Sequence, residues 1–360
     1  MCFLTKCPYV PPHEFNLDFP HLMLRYRAIE FKKGEIGLAT KELTKTDRNG
    51  KLLGAVSPLA NWASDTSNSL TRGALEMTTK VHREAALPKF HKNSFVNLTE
   101  KHKPDVNENA PAFGRKAVIY ATCFVNYNNP DIGNSALSVL ALNGVDTQVA
   151  YPSCCGMPQL EHGNIEEVAA AAKKVAAELK TFIDEGRDII ALTPSCALML
   201  KFEWPLIVPD DADVKALAAS TYDIDEYVVD IAKKEGLTPG LKPLDGNVAL
   251  HQACHSRAQN FGQKSAEMLN FIPDLSLHVI ERCSGHGGSW GMMKDNFKTA
   301  IKVGKPAARQ ASKANPKYVV SGCPLAGEHI LQGIDFLGGS GKRPKNANHP
   351  IEILAKAYNL

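Results

Sequence analysis

Six short apolar runs, each ending a few residues before a cysteine, constrain this chain more than any other feature. They occupy 116–121 (KAVIYA), 147–151 (TQVAY), 188–193 (DIIALT), 247–251 (NVALH), 277–281 (LHVIE) and 318–321 (YVVS). Runs of this length, rich in Val and Ile, read as buried strands. The cysteines that follow are Cys123, the pair Cys154–Cys155, Cys196, Cys254, Cys283 and Cys323. The second three sites repeat the first three with offsets of 131, 129 and 127 residues, which identifies an internal repeat. Helical segments separate the strands. The clearest is 165–185, with Val168, Ala172, Val175, Leu179, Phe182 and Ile183 on one face. Asn164 and Glu167 are placed to cap its start, and Gly186 to close it. Strand alternating with helix implies parallel, doubly wound sheets. The predicted fold class is therefore α/β: two pseudo-repeated parallel-sheet domains with cysteines at the strand C-termini. A helix over 225–235 is inserted between the copies, and 239–245 reads as their linker.

The N-terminal third reads differently. Pro8, Pro11, Pro12 and Pro20 interrupt the start, and short helices are predicted over 22–31, 42–47 and 69–82. Residues 36–114 read as an irregular, mainly helical adaptor that wraps the neighbouring core. Residues 1–116 hold 18 Lys and Arg against 12 Asp and Glu, yet the whole chain carries a net charge of only +3. Such a small excess gives no ground for a nucleic-acid partner. No run approaches the ~18 apolar residues that cross a bilayer. The opening residues also lack the apolar stretch of a secretory signal. The expected location is the cytoplasm, with any membrane contact peripheral and on the inner face of the cell membrane.

Nine cysteines in a reducing compartment point to metal ligation or redox chemistry rather than to a disulfide framework. In open parallel sheets, ligands sit beyond the carboxyl ends of the strands, where these cysteines would converge. Thiolates are soft donors that select iron–sulfur clusters, zinc or Cu(I). The first copy reads C-x30-C-C-x40-C-x-x-M and ends at Met199; the second reads C-x28-C-S-x38-C-x-x-A and ends at Ala326. Glycine follows each central pair, at Gly156 and Gly285. It lets backbone approach an inorganic group closely and aims N–H groups at it. No pair of side chains looks like a general acid and base for an organic substrate. Gly338-Gly339-Ser340-Gly341-Lys342 lacks the Ser or Thr that a phosphate loop places next, and reads as a plain loop. Trp204 and Trp290 read as core.

These motifs, and above all YPSCCGMPQLEHGN and LTPSCALMLKFEWP, resemble the paired cysteine-rich CCG domains of the B subunit of heterodisulfide reductase and its relatives. Within that family the chain looks most similar to the C subunit of anaerobic glycerol-3-phosphate dehydrogenase. The resemblance places one CCG domain at 115–240 and a second at 241–360. It implies a four-iron [4Fe–4S]-type cluster on cysteines of each copy. Cys123, Cys154, Cys155 and Cys196 match the family's ligands, and Met199 stands where a fifth cysteine belongs. The second copy keeps Cys254, Cys283 and Cys323, with Ser284 and Ala326 in place of the others. Those three thiolates would hold a cluster with His255, His286 or Ser284 as fourth donor, or zinc, which accepts three Cys and one His, or nothing; a single site shared by both copies is a further alternative. Cys2-x4-Cys7-Pro8 resembles the last two ligands of a bacterial ferredoxin motif, so 1–35 is expected to be the remnant of a ferredoxin-like domain, with Cys2 and Cys7 as former ligands. The implied role is an electron-transfer component linking a flavoprotein dehydrogenase or ferredoxin-type partner to quinone or another acceptor. A zinc-stabilised interaction module without redox activity is the alternative.

Overall fold

The computed structural model describes residues 7–10, 13–101, 103–338 and 343–360; Cys2 and the 339–342 part of the glycine-rich loop lie outside them. Among the described residues seven strands form two sheets, parallel throughout. The first contains β1 (Lys116–Tyr120), β2 (Asp146–Ala150), β3 (Asp188–Ala191) and β4 (Thr221–Asp223), in the spatial order β2-β1-β3-β4. The second contains β5 (Val248–His251), β6 (Leu277–Ile280) and β7 (Tyr318–Ser321), in the order β6-β5-β7. Each copy thus starts at a central strand, pairs outward on one side, and returns to the other side of the first strand. The six predicted strands are all present. β4 was not expected: it is a three-residue edge strand with no apolar run of its own.

The helix Ile165–Asp184 forms as its pattern requires. Asn164 caps it through the N–H of Glu167, and Val168, Ala172, Val175 and Leu179 are fully buried. The inserted segment is the helix Ile224–Lys234, opened by a reciprocal cap between Asp223 and Glu226. One core joins the two halves: Ile119 and Ile190 of the first sheet share a cluster with Leu250 and Val320 of the second. The C-terminal helix Pro350–Tyr358 belongs to the second half in sequence but packs on Pro130–Leu142 of the first.

The N-terminal region is mainly helical: Phe19–Lys32, Leu38–Leu43, Thr46–Ala55, Ser57–Ala63, Ser69–Thr79 and Phe95–Thr99. It straps both halves. Arg27 donates to the Glu161 carbonyl (2.9 Å), and His21 Nε2 lies 3.0 Å from the buried carboxylate of Glu203. Toward the second half, Val81 bridges Met293 and the His82 ring stacks on Phe297 at 4.2 Å. The buried guanidinium of Arg72 donates to three backbone carbonyls at 2.7–2.8 Å, which holds the connecting segment 82–85 in place. Among the described residues no helix is long and apolar enough to cross a membrane.

Candidate metal centre

In the first sheet the strand order reverses between β1 and β3, so a crevice opens at the carboxyl ends of those strands. Cys123 follows β1, Cys154 and Cys155 follow β2, and Cys196 follows β3. The structure brings all four together. Cys123 Sγ lies 3.7 Å from Cys154 Sγ, and Cys155 Sγ lies 3.2 Å from Cys196 Sγ. Cys154, Cys155 and Cys196 are buried, and Cys123 is half-buried.

Local backbone explains how the sulfurs are aimed. Thr122, just before Cys123, sits at φ 43°, a conformation that costs a threonine ~1–3 kcal/mol and turns the chain sharply off the strand. Gly156 sits at φ 81° and points its N–H back at the Cys154 sulfur. Its counterpart Gly285, at φ 82°, donates to Cys283 Sγ at 3.4 Å. A side chain on Gly285 would also run into the backbone of Ala300 at 2.1 Å, so the glycine serves helix packing as well. Cys196 lies within the helix Pro194–Leu198, which continues as a π-helical turn, Met199–Glu203. Such turns recur at functional sites. Met199 is fully buried beside the thiols.

Two contributors come from outside the strand ends, and sequence reading missed both. Asp47, in the first turn of Thr46–Ala55, accepts a bond from the Cys154 N–H at 2.9 Å and another from the Tyr151 hydroxyl. Thr46 places its hydroxyl beside the sulfurs of Cys123 and Cys154, and that oxygen is buried with no other partner. The one local signal was the buried pair Gly50 and Gly54, small residues that allow this helix to sit close. Trp204 is core, as expected, but its indole N–H also donates to the Cys155 carbonyl at 3.1 Å.

The thiols perturb one another. Bonding to Cys154, with burial, pushes Cys123 up, and bonding to Cys154 and Cys196 pushes Cys155 up. Cys154 is held down by its bonding to Cys123, Cys155, Thr46 and the Gly156 N–H. Cys123, Cys154 and Cys155, packed this way, cannot all ionise without a compensating cation. This donor set fits an iron–sulfur cluster: four soft ligands in an apolar pocket, with the Gly156 N–H and the Thr46 hydroxyl aimed at the sulfurs. Among the described residues no trio of His, Cys, Asp or Glu surrounds a common point as a single ion requires.

The second copy is more open. Cys254, Cys283 and Cys323 follow β5, β6 and β7, with Cys283 exposed and the other two half-buried. Ser284 and His286 are buried; Ser284 Oγ accepts from the His286 N–H at 3.4 Å. The two centres face each other. Cys323 feels the charges of Glu161 and Cys196, and His162 Nε2 meets Ser289 Oγ at 2.8 Å across the crevice. Cys7 stands half-buried ahead of Phe19–Lys32 and takes no part in the sulfur contacts of the first copy.

The cysteine-rich domain family designated CCG matches this chain twice, at residues 117–201 and 248–327. The chain is 26% identical over 325 residues to the C subunit of anaerobic glycerol-3-phosphate dehydrogenase from Escherichia coli, spanning 88% of this chain and 76% of that protein. It is 27% identical over 252 residues to the B subunit of fumarate reductase (CoM/CoB) from Methanothermobacter marburgensis, covering 68% of this chain and 47% of the relative. Lactate utilization protein A of Bacillus pumilus is 28% identical over 188 residues, 49% of this chain and 75% of that protein.

Proposed function

The chain carries two cysteine-rich domains of the CCG type, and from that premise we propose that it is an iron–sulfur electron-transfer subunit. Its upstream partner is a flavoprotein dehydrogenase of the glycerol-3-phosphate or 2-hydroxy-acid type, and its acceptor is quinone or another oxidant. Two of the relatives are named as subunits of a dehydrogenase and a reductase, which supports the role of one component in a larger assembly. In the first copy Cys123, Cys154, Cys155 and Cys196 hold a [4Fe–4S]-type cluster. In the second, Cys254, Cys283 and Cys323 are the ligands, with Ser284 and His286 nearby to complete the set. Any membrane contact is peripheral.

The observation that carries this reading is the convergence of four thiols from three adjacent strand ends, with sulfur contacts of 3.7 and 3.2 Å. When bound, the cluster supplies one-electron redox chemistry. The chain does the rest. Burial beneath Trp204, Met199 and Tyr120 excludes water. The N–H of Gly156 and the hydroxyl of Thr46 stabilise negative charge on sulfur and so raise the ease of reduction. Asp47 pins the Cys154 backbone.

Reduction and reoxidation test the role. Protein prepared without oxygen is expected to lose its visible absorbance on adding dithionite and to regain it with ferricyanide. Cys155→Ser and Cys196→Ser are expected to remove the first centre's share of that response. A protein with no reversible bleaching is not an electron carrier.

A further inference from the structure

The second copy is short of two thiols, at Ser284 and Ala326, yet a charged donor reaches it from the first copy. The short helix Met157–Glu161 follows the turn Cys154-Cys155-Gly156 and ends in the crevice between the copies. There the half-buried Glu161 carboxylate presses on the loop that follows Cys283. A Cβ on Gly288 would lie 2.6 Å from Glu161 Oε1 and closer still to Oε2, so a side chain at that position would push the carboxylate aside. The next residues of the two segments meet as well, His162 Nε2 with Ser289 Oγ at 2.8 Å, which fixes the same register between the copies.

The carboxylate is unbalanced where it sits. Among the described residues no hydrogen bond reaches it; Arg27, the cation nearby, gives its N–H to the Glu161 carbonyl instead. Burial, and after it the charge of Glu161 ahead of that of Cys196, pushes the Cys323 thiol up. A carboxylate and a thiolate sharing one crevice repel unless a cation lies between them. A carboxylate oxygen is a donor that both iron and zinc accept. Two donors closer in sequence are turned elsewhere: Ser284 Oγ accepts from the His286 N–H within its own loop, and the His286 ring packs edge to face on His329, centroids 5.7 Å apart.

We propose that Glu161 is a ligand of the second centre, lent by the first copy to the group held by Cys254, Cys283 and Cys323. The class of that group, an iron–sulfur cluster, rests on the carrier reading above; the ligand rests on the geometry of the crevice. In the metal-free chain this carboxylate only burdens the fold. In the loaded chain it balances charge and completes the donor set that Ser284 and Ala326 leave short. It also ties the centres together, since the second centre's donor stands six residues beyond Cys155 of the first.

The test uses the full chain purified without oxygen, with Glu161→Gln, Glu161→Cys and Cys323→Ser beside it. Iron, acid-labile sulfide and zinc are assayed, and electron paramagnetic resonance is recorded after dithionite. Cys323→Ser marks the metal and the resonance that belong to the second centre. Glu161→Gln should release that share of iron to a chelator at least about tenfold faster than the parent. Glu161→Cys should restore retention with a shifted resonance, which a merely structural role would not give. Parent-like release and resonance in Glu161→Gln overturn the assignment, as does a parent from which Cys323→Ser removes no metal. Zinc without iron or sulfide, held by the parent and lost in both Glu161→Gln and Cys323→Ser, supports the ligand and sinks the carrier reading instead.

Discussion

Removing the carboxylate of Asp47 should loosen the first centre more than any other change outside the cysteines. Asp47 lies about a hundred residues before its partners, yet it accepts from the Cys154 N–H at 2.9 Å and from the Tyr151 hydroxyl. Asp47→Ala leaves both donors facing a largely buried space. An unsatisfied buried donor costs roughly 1–3 kcal/mol. Part of that loss is offset, because burial pushes the Asp47 carboxyl up and its own desolvation cost disappears with it. A net loss of about 2–4 kcal/mol follows. Asp47→Asn keeps one acceptor but turns an N–H₂ toward the other donor, so about half that loss is expected. Urea unfolding under anaerobic conditions reads the effect as a lower midpoint with unchanged slope. The rate of iron release to a chelator should rise in the same order, Ala above Asn above parent. A loss below about 1 kcal/mol for Asp47→Ala, with iron release unchanged, would refute the reasoning.

The same helix offers a steric test: a Cβ on Gly50 would lie 2.4 Å from the buried Tyr127 ring, so Gly50→Ala should cost about 1–3 kcal/mol in thermal unfolding, and an unchanged Tm would count against this packing. Bonding to Glu203 raises His21 from 6.5 to about 9, so this pair stabilises fully below pH 6.5 and its contribution fades as pH rises through 9; the stability difference between parent and His21→Gln should close over that window. Glu161 behaves in the opposite sense, since burial in the crevice raises it from 4.5 to about 7 and charging it there is unfavourable. The native state should lose stability between pH 4.5 and 7, and Glu161→Gln should be the more stable protein above 7 and equal to the parent below 4.5, read from urea midpoints across pH.

What the chain revealed before its structure was known follows from how local each signal is. KAVIYA and DIIALT declare themselves as strands because every residue but the first is buried in β1 and β3, and a fully buried strand needs an unbroken apolar run. The repeat was visible because six such runs each end at cysteine. β4 was invisible because Thr221-Tyr222-Asp223 pairs on one side only, and the following helix begins at once. The thiol sites could be named from their spacing, whereas Asp47 and Thr46 could not. Nothing in TDRNGKLLGA reports that its first two residues reach across to Cys154; that contact is decided by tertiary packing through Gly50 and Gly54. The glycines after the central cysteines were expected to aim N–H groups at a cluster. Their N–H groups do reach sulfur, but Gly285 is also required by the closeness of Phe297–Lys313, a constraint no local pattern carries. The asymmetry between the copies was legible in Ser284 and Ala326. The greater exposure of Cys283 adds to it, since three strand-end thiols on an open rim form a looser centre than four in an apolar pocket.

The most direct test of the central claim is the metal content of protein purified without oxygen. Iron, acid-labile sulfide and zinc are measured together with the visible spectrum, for the parent and for Cys155→Ser. A coloured protein with roughly four iron and four sulfide per filled centre, much of it lost in Cys155→Ser, is the expected result. A colourless protein that holds zinc and no acid-labile sulfide would contradict it.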